Sequence, residues 1–234
     1  MVKCMQCVIT ARLRVGRVSS KTNYMNAELQ QFVLGTHNKK KRAELDALLR
    51  PHGFAVRSLE DFPDAIEVVE DGNSFAENAA KKATEQAVHL GAWVLGEDSG
   101  ISIDALGGEP GIYSARFAGP DATDEDNNRL ALEKLHGVPR ANRTAFYTCH
   151  MTLSDPQGNV QIDCEATCHG ILRTEPSGTG GFGYDPLFEI PEYHQTFGEL
   201  GASFKSVISH RARATRLFLP KLLKLARLGE STSK

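Results

Sequence analysis

Apolar and polar positions recur along the chain at the spacings of strands and of helices, and from residue 31 onward they divide it into elements. Gln31-Phe32-Val33-Leu34 is a short apolar run that reads as a strand. It leads through the polar turn Gly35-Thr36-His37-Asn38 into Ala43–Leu49, whose apolar residues fall at helical spacing, and Pro51-His52-Gly53 ends that helix. Phe54–Leu59 is a second strand. A helix over Asn73–Val88 follows, with Asn73 or Ser74 as its cap and Glu77 near the capping-box position. Ala92-Trp93-Val94-Leu95 reads as a buried strand that stops on Gly96, and Asp121–Leu135 as a capped amphipathic helix closed by His136-Gly137-Val138-Pro139. Thr144–Leu153 and Val160–Cys168 alternate around the turn Asp155–Asn159, which predicts an antiparallel hairpin with no chemistry of its own. A last helix opens at Lys205 and runs on through Leu223, with Pro220 expected to kink or end it.

Candidate chemistry falls at the junctions of these elements. The strand at 92–95 delivers two adjacent carboxylates, Glu97 and Asp98, into a Ser99-Gly100 turn. Open α/β sheets keep ligands beyond the carboxyl ends of their strands, and two neighbouring carboxylates there suit a divalent metal and a general base acting on water. A solvated acidic turn is the competing reading. The turn at 35–38 opens a helix whose first residues are Lys39, Lys40, Lys41 and Arg42. Free backbone N–H groups at a helix N-terminus and nearby lysines make an anion site, and cations there are disfavoured by the helix dipole unless an anion sits among them. The Walker pattern is absent. In the 73–88 helix Glu77, Lys81 and Glu85 share a face with Lys82 beside it, so an acid and a base can project together, capping being the competing role for Glu77. The loop Ser177–Phe188 carries four glycines with Phe182 and Tyr184, a backbone that approaches a ligand closely and two flat faces for a base, or simply a glycine-rich connector. His150 and His169 lack partners at ligand-like spacing and read as strand residues.

Composition narrows the classes. The 234 residues carry 24% charged and 41% hydrophobic side chains, ordinary globular values, and a net charge of −2, which argues against a surface that grips nucleic acid as a whole. No apolar run is long enough to span a membrane. Five cysteines, an odd number, point to a reducing compartment, and a zinc site joining Cys4 and Cys7 to Cys164 and Cys168 is the weaker reading. Residues 1–26 hold Lys3, Arg12, Arg14, Arg17 and Lys21 with no acid before Glu28. That profile is faintly like an organelle transit peptide, but the plainer reading is a disordered tail or a start assigned too early, with Met25 as the true one.

Six spaced motifs then add up. Thr36-x-Asn38-x-x-Lys41, Phe75-x-Glu77-Asn78-Ala79, Glu97-Asp98-Ser99-Gly100, Pro110–Arg116, Gly180–Pro186 and Ser209-His210-Arg211 occur in that order. On these residues the chain resembles the inosine/xanthosine triphosphate pyrophosphatase family from about Phe32 to Leu223, departing where bacterial members usually carry Asp-Asp and this chain has Glu97-Asp98. The resemblance implies one α/β domain, 27–230, with an elongated mixed sheet, two lobes and a cleft between them. It further implies a homodimer; a cytoplasmic setting is expected, and from charge and hydropathy neither nucleic acid nor membrane is expected as partner. The implied reaction is Mg²⁺-dependent hydrolysis of ITP, dITP and XTP to the monophosphate and pyrophosphate. Carried over by residue, Thr36, Asn38, Lys41 and Lys82 hold phosphates, Glu77, Glu97 and Asp98 meet the metal, and Asp98 is the general base. Ser99 belongs to the substrate site. Phe182 and Tyr184 line the base pocket, and Asp185, Lys205, His210 and Arg211 read the base. Arg211 and Lys205 are donors only, which favours a 6-oxo purine over adenine. A pyrophosphatase for modified pyrimidine nucleotides and a non-hydrolytic purine nucleotide sensor are the rival readings, the acids at 77, 97 and 98 weighing against a sensor.

Overall fold

The computed structural model describes residues 31–228, so the readings of the basic N-terminal segment and of Cys4 and Cys7 lie outside the described residues. Strand β1 (Gln31–Leu34), helix α1 (Lys39–Leu49), strand β2 (Ala55–Ser58), helix α2 (Phe75–Leu90) and strand β3 (Val94–Ile103) come first. Helix α3 (Asp124–Lys134) precedes the hairpin of β4 (Thr144–Ser154) and β5 (Val160–Leu172). Short strands β6 (Phe188–Ile190) and β7 (Gln195–Thr196), then helices α4 (Phe197–Ile208) and α5 (His210–Leu228), complete the described chain. The strands form one mixed sheet in the order β2-β1-β3-β4-β5-β6-β7, parallel across β2-β1-β3 and antiparallel beyond. Among the described residues no helix is long and apolar enough to cross a membrane.

The period-2 pattern of β1 sorts the two sheet faces. Phe32 and Leu34 join Leu95, Leu45 and Leu49 of α1, and Phe218 and Leu222 of α5 on one face, whereas Val33 and Val94 meet Ala87 of α2 on the other. A second cluster on the α4–α5 face, with Ile101, Tyr147, Phe188 and Phe197, forms the core of the antiparallel half. The strand order reverses at β1, with α1 and α2 on opposite faces, and such a switch point opens a crevice at the carboxyl ends of the strands.

Two element expectations are corrected, and of the two readings of Pro220 the helix end is set aside. β3 does not stop at Gly96: it continues through Ile103, paired with β4 throughout, so Glu97 and Asp98 stand inside a strand. Gly96 is instead a close-packing position, since a Cβ there would run into the Ala79 carbonyl of α2. The segment from Lys205 is two helices, because Ser209 is extended (φ −66°, ψ 160°), ends α4 and caps α5 by accepting the Ala212 N–H at 3.2 Å. α5 also passes through Pro220. The proline sits on the exposed side, while Leu222 and Ala226 beyond it are buried in the core and hold the helix. The hairpin at 144–172 forms as expected.

Candidate functional site

The cleft opens where β1 ends at Leu34 while β3 runs on, leaving the edge of β3 beyond Leu95 without a β1 neighbour. It is a cavity of about 280 Å³ lined on one side by Thr36, Asn38, Lys41, Glu70, Lys82 and Asp98, and on the other by Phe182, Tyr184, Asp185, Lys205, His210 and Arg211. Ser99 lies between them. All but two of the residues singled out in the sequence therefore meet in one place. The exceptions are Glu77 and Glu97.

At the first end, Asn38 is the N-cap of α1, and its side-chain oxygen accepts the Lys40 and Lys41 N–H groups at 3.0 and 3.1 Å. Asn38 N–H in turn donates to Thr36 Oγ1 at 3.2 Å. The cap thus uses two of the N–H groups that the sequence left open for an anion. The three lysines opening α1 are each matched by a carboxylate: Lys39 by Glu60 at 3.0 Å, Lys40 by Asp124 at 3.2 Å and Lys41 by Glu97 at 2.9 Å. The anions demanded by the helix dipole come from the chain itself.

Successive residues of a strand point to opposite faces, so Glu97 and Asp98 part company. Asp98 faces α2, where Lys82 Nζ lies 2.9 Å from Oδ1 and the Asn78 amide donates to Oδ2 at 3.3 Å. Burial pushes the Asp98 carboxyl up against the pull of Lys82. Lys82 is held charged because Asp98 and Glu70, the latter 3.0 Å away, outweigh its burial. Glu97 faces α1 and α5 and is wholly buried. Its Oε1 accepts Arg211 Nη2 at 2.9 Å, Arg211 Nε at 3.3 Å and the Cys149 thiol at 3.3 Å. Lys41 Nζ lies 2.9 Å from Oε2 and pairs with its charge. Burial opposes the charge of Glu97, but Arg211 and Lys41 outweigh it and hold the carboxyl well below its ordinary range.

At the second end, Gly183 (φ 63°) lets the 177–186 loop turn back, and the Phe182 ring lies 4.6 Å from Lys205 Nζ, 5.6 Å from Lys40 Nζ and 5.8 Å from the Arg211 guanidinium carbon. Tyr184 is buried and donates to the Ser114 carbonyl at 2.9 Å, so it supplies a wall of the cavity from within the core. Asp185 accepts Lys205 Nζ at 2.6 Å and the Phe182 N–H at 2.8 Å, and burial pushes its carboxyl up. Lys205 also lies 2.8 Å from Glu44. Arg211 gives four of its five N–H groups to Glu97, Ser99 and Glu44, so few of the donors counted from sequence remain open. His210 stacks on Tyr147 at 4.5 Å and 11°, its Nδ1 buried without a partner. Burial and the neighbouring Arg211 hold that imidazole well below its usual range, hence neutral.

Glu77, expected at the metal, is exposed at the first turn of α2, where its carboxylate curls back to accept the Asn73 N–H at 2.7 Å. It is a capping residue. The face it shares with Lys81 and Glu85 is the outer one, and the stripe that reaches the cleft side is Asn78, Lys82 and Gln86, all buried. Glu97 likewise does not line the cavity, its carboxylate being engaged by Arg211 and Lys41 on the other face of β3. Four residues that the sequence reading missed belong to the site. Glu70 shares Lys82 with Asp98, Asn78 orients Asp98, Glu44 bridges Lys205 and Arg211, and Asp124 accepts the Gly183 N–H at 2.9 Å. Glu44 was legible, one turn along α1 from Lys41 on the same helix face; Glu70 and Asp124 stand in irregular or terminal positions where spacing carries no signal.

A switch-point cleft lined by paired lysines and carboxylates at one end and aromatic and cationic side chains at the other defines an α/β protein built to bind a phosphorylated ligand. The chain belongs to the Ham1 family, whose model matches residues 32–221. A dITP/XTP pyrophosphatase of Rhodopirellula baltica is 55% identical over 202 residues, covering 86% of this chain and 97% of its own. One of an Exiguobacterium species is 50% identical over 186 residues, 80% of this chain and 93% of its own. Among solved structures, a HAM1 protein from Coxiella burnetii superposes with a TM-score of 0.75 at 34% identity, covering 83% of this chain and 98% of that one.

Proposed function

We propose that this chain hydrolyses noncanonical purine nucleoside triphosphates, ITP, dITP and XTP, to the nucleoside monophosphate and pyrophosphate. The observation that carries the reading is the pairing of Asp98 with Lys82 at 2.9 Å on the cleft floor, a base with a raised pKa beside a cation. A water placed there gives its proton to Asp98 as its oxygen bonds to the α-phosphorus, and the bond to the β-phosphate bridging oxygen breaks, releasing pyrophosphate. A carboxylate whose pKa is raised is a stronger base than a free one. Lys41 and Lys82 balance the phosphate charge, with Thr36 and Asn38 as neutral contacts. Phe182 and Tyr184 flank the base, and Ser99, Asp185, Lys205, His210 and Arg211 shape its pocket.

The residues present fit Mg²⁺: of the set expected from sequence Asp98 faces the cleft, and Glu70 stands beside it. Glu70 and Asp98 converge on one ammonium, 3.0 and 2.9 Å from Lys82 Nζ, in an open cleft. Magnesium is ordinarily held by one or two carboxylates with waters and substrate phosphates, which is the donor set these two residues offer. Glu70 and Asp98 would hold the ion, and its charge would offset that of the phosphate oxygens. With this reading go one working domain over 27–230, a homodimer and a cytoplasmic setting. The test is pyrophosphate release from ITP, XTP and ATP with Mg²⁺. Rapid release from the first two and very little from ATP is expected; equal rates on all three, or none, would end the proposal.

A further inference from the structure

We propose that Glu97 is a positioning residue, an internal strut that sets Lys41 and Arg211 at the two ends of the cleft and neither binds the metal nor moves a proton. The inference rests on the function proposed above. Glu97 stands on the face of β3 opposite Asp98 and is fully buried, and it does not line the cavity. Each oxygen serves a different helix: Oε1 takes Arg211 of α5 at 2.9 Å and Oε2 faces Lys41 of α1 at 2.9 Å. The Cys149 thiol of β4 backs Oε1 at 3.3 Å.

Lys41 depends on Glu97 more than Arg211 does, since Arg211 also reaches Ser99 and Glu44. Among the described residues Lys41 has no other acid within ion-pair distance, and the remaining acid at Arg211 is Glu44, itself shared with Lys205. Lys41 is only partly buried and borders the cavity, so without the carboxylate behind it nothing holds its ammonium in place and it is free to swing toward water. The longer glutamate arm suits this task, since one carboxylate has to bridge two helices. A metal ion seated at Glu97 would have to displace Arg211 or Lys41 from a wholly buried carboxylate, whereas Glu70 and Asp98, though both paired with Lys82, line the cavity.

Calorimetric titration of the full chain with Mn²⁺ alone and with inorganic pyrophosphate alone separates the roles. Glu97→Gln keeps the shape but removes the charge and turns an amide or a neutral oxygen toward Lys41. The strut predicts pyrophosphate binding at least about tenfold weaker, from misplaced Lys41, with Mn²⁺ affinity within about twofold of the parent. Glu70→Gln should instead weaken Mn²⁺ at least about tenfold. Loss of Mn²⁺ affinity in Glu97→Gln to the level of Glu70→Gln would overturn the proposal, as would unchanged pyrophosphate binding. If Glu97→Gln does not fold, the pair Glu97→Gln/Lys41→Met, which removes one anion and one cation together, is read for Mn²⁺ in the same way. A parent protein that binds neither probe refutes the proposed function and not the strut. The strut is then judged by urea unfolding of the Glu97→Gln, Lys41→Met and double variants, where additive effects overturn it and a double variant better than the sum supports it.

Discussion

The two faces of β3 carry adjacent carboxylates to opposite ends. On the α2 face Asp98 shares one lysine with Glu70, opens to the cleft, and has its pKa raised by burial. On the α1–α5 face Glu97 is sealed between two cations and a thiol, and its pKa is driven down. Proton transfer needs a base whose two protonation states are close in free energy, whereas a structural counter-ion needs one state to prevail by a wide margin. The same two atoms of carboxylate chemistry serve either purpose, depending on how completely the surrounding cations match the charge.

The largest effect falls on the sealed face. Arg211→Ala should cost about 3–5 kcal/mol of stability, because it leaves Glu97 and Glu44 short of a partner in a buried network. Equilibrium urea unfolding measures it, and a loss below about 1 kcal/mol would mean that the two faces are equally hydrated. Asp98→Asn is the mirror case: hydrolysis of ITP falls by at least about a hundredfold, the usual worth of a general base. Its stability should change by less than about 1 kcal/mol, since burial already opposes the Asp98 charge and Glu70 keeps Lys82 paired. Near-normal turnover in that variant would move the base elsewhere.

A smaller effect comes from His210, which lies with Glu97 on the sealed side and is buried neutral. Its folded pKa is depressed, so the folded chain resists a proton that the unfolded chain accepts. Its contribution to stability is therefore whole above the unfolded value of about 6.5 and declines below it by up to about 1.4 kcal/mol per pH unit. His210→Phe keeps the stack on Tyr147 and should flatten the fall in melting temperature between pH 6.5 and 5; an unchanged slope would show that the imidazole charges in place. The smallest effect is expected from removing residues 1–24, which precede the family match that begins at residue 32. Activity and melting temperature should stay within error, and a clear drop in either would mean that the segment packs on one of the two faces.

The contrast also shows where sequence reading reaches its limit. The hairpin, the helix over 73–88, the polar turn at 35–38 and the glycine-rich loop were all legible, because each is encoded by local periodicity or by turn chemistry. Helix α4 was not: Gly198 and Gly201 interrupt its pattern, and Gly201 has φ 75° within it. Its Thr196 capping box, with Glu199 three residues on, was the available signal. Glu97-Asp98 was read as a pair because adjacency in sequence looks like adjacency in space. Had β3 stopped at Gly96 the two could have turned to one ligand. Its ten-residue span sends them to opposite faces instead.

By itself the sequence determined which residue types gather in the cleft, since the motifs at 36–41, 97–100, 180–186 and 209–211 all arrive there, and it determined the α/β class. Only the tertiary structure decided their partners. Glu44 meets Arg211 across a separation of 167 residues and Asp98 meets Lys82 across 16, while Glu77 turns away to its own helix end. The reason is physical: whether a carboxylate binds metal, takes a proton or only balances charge depends on the cations within about 4 Å and on the water excluded around it. Those are properties of packing between elements, and no local pattern of residues encodes them.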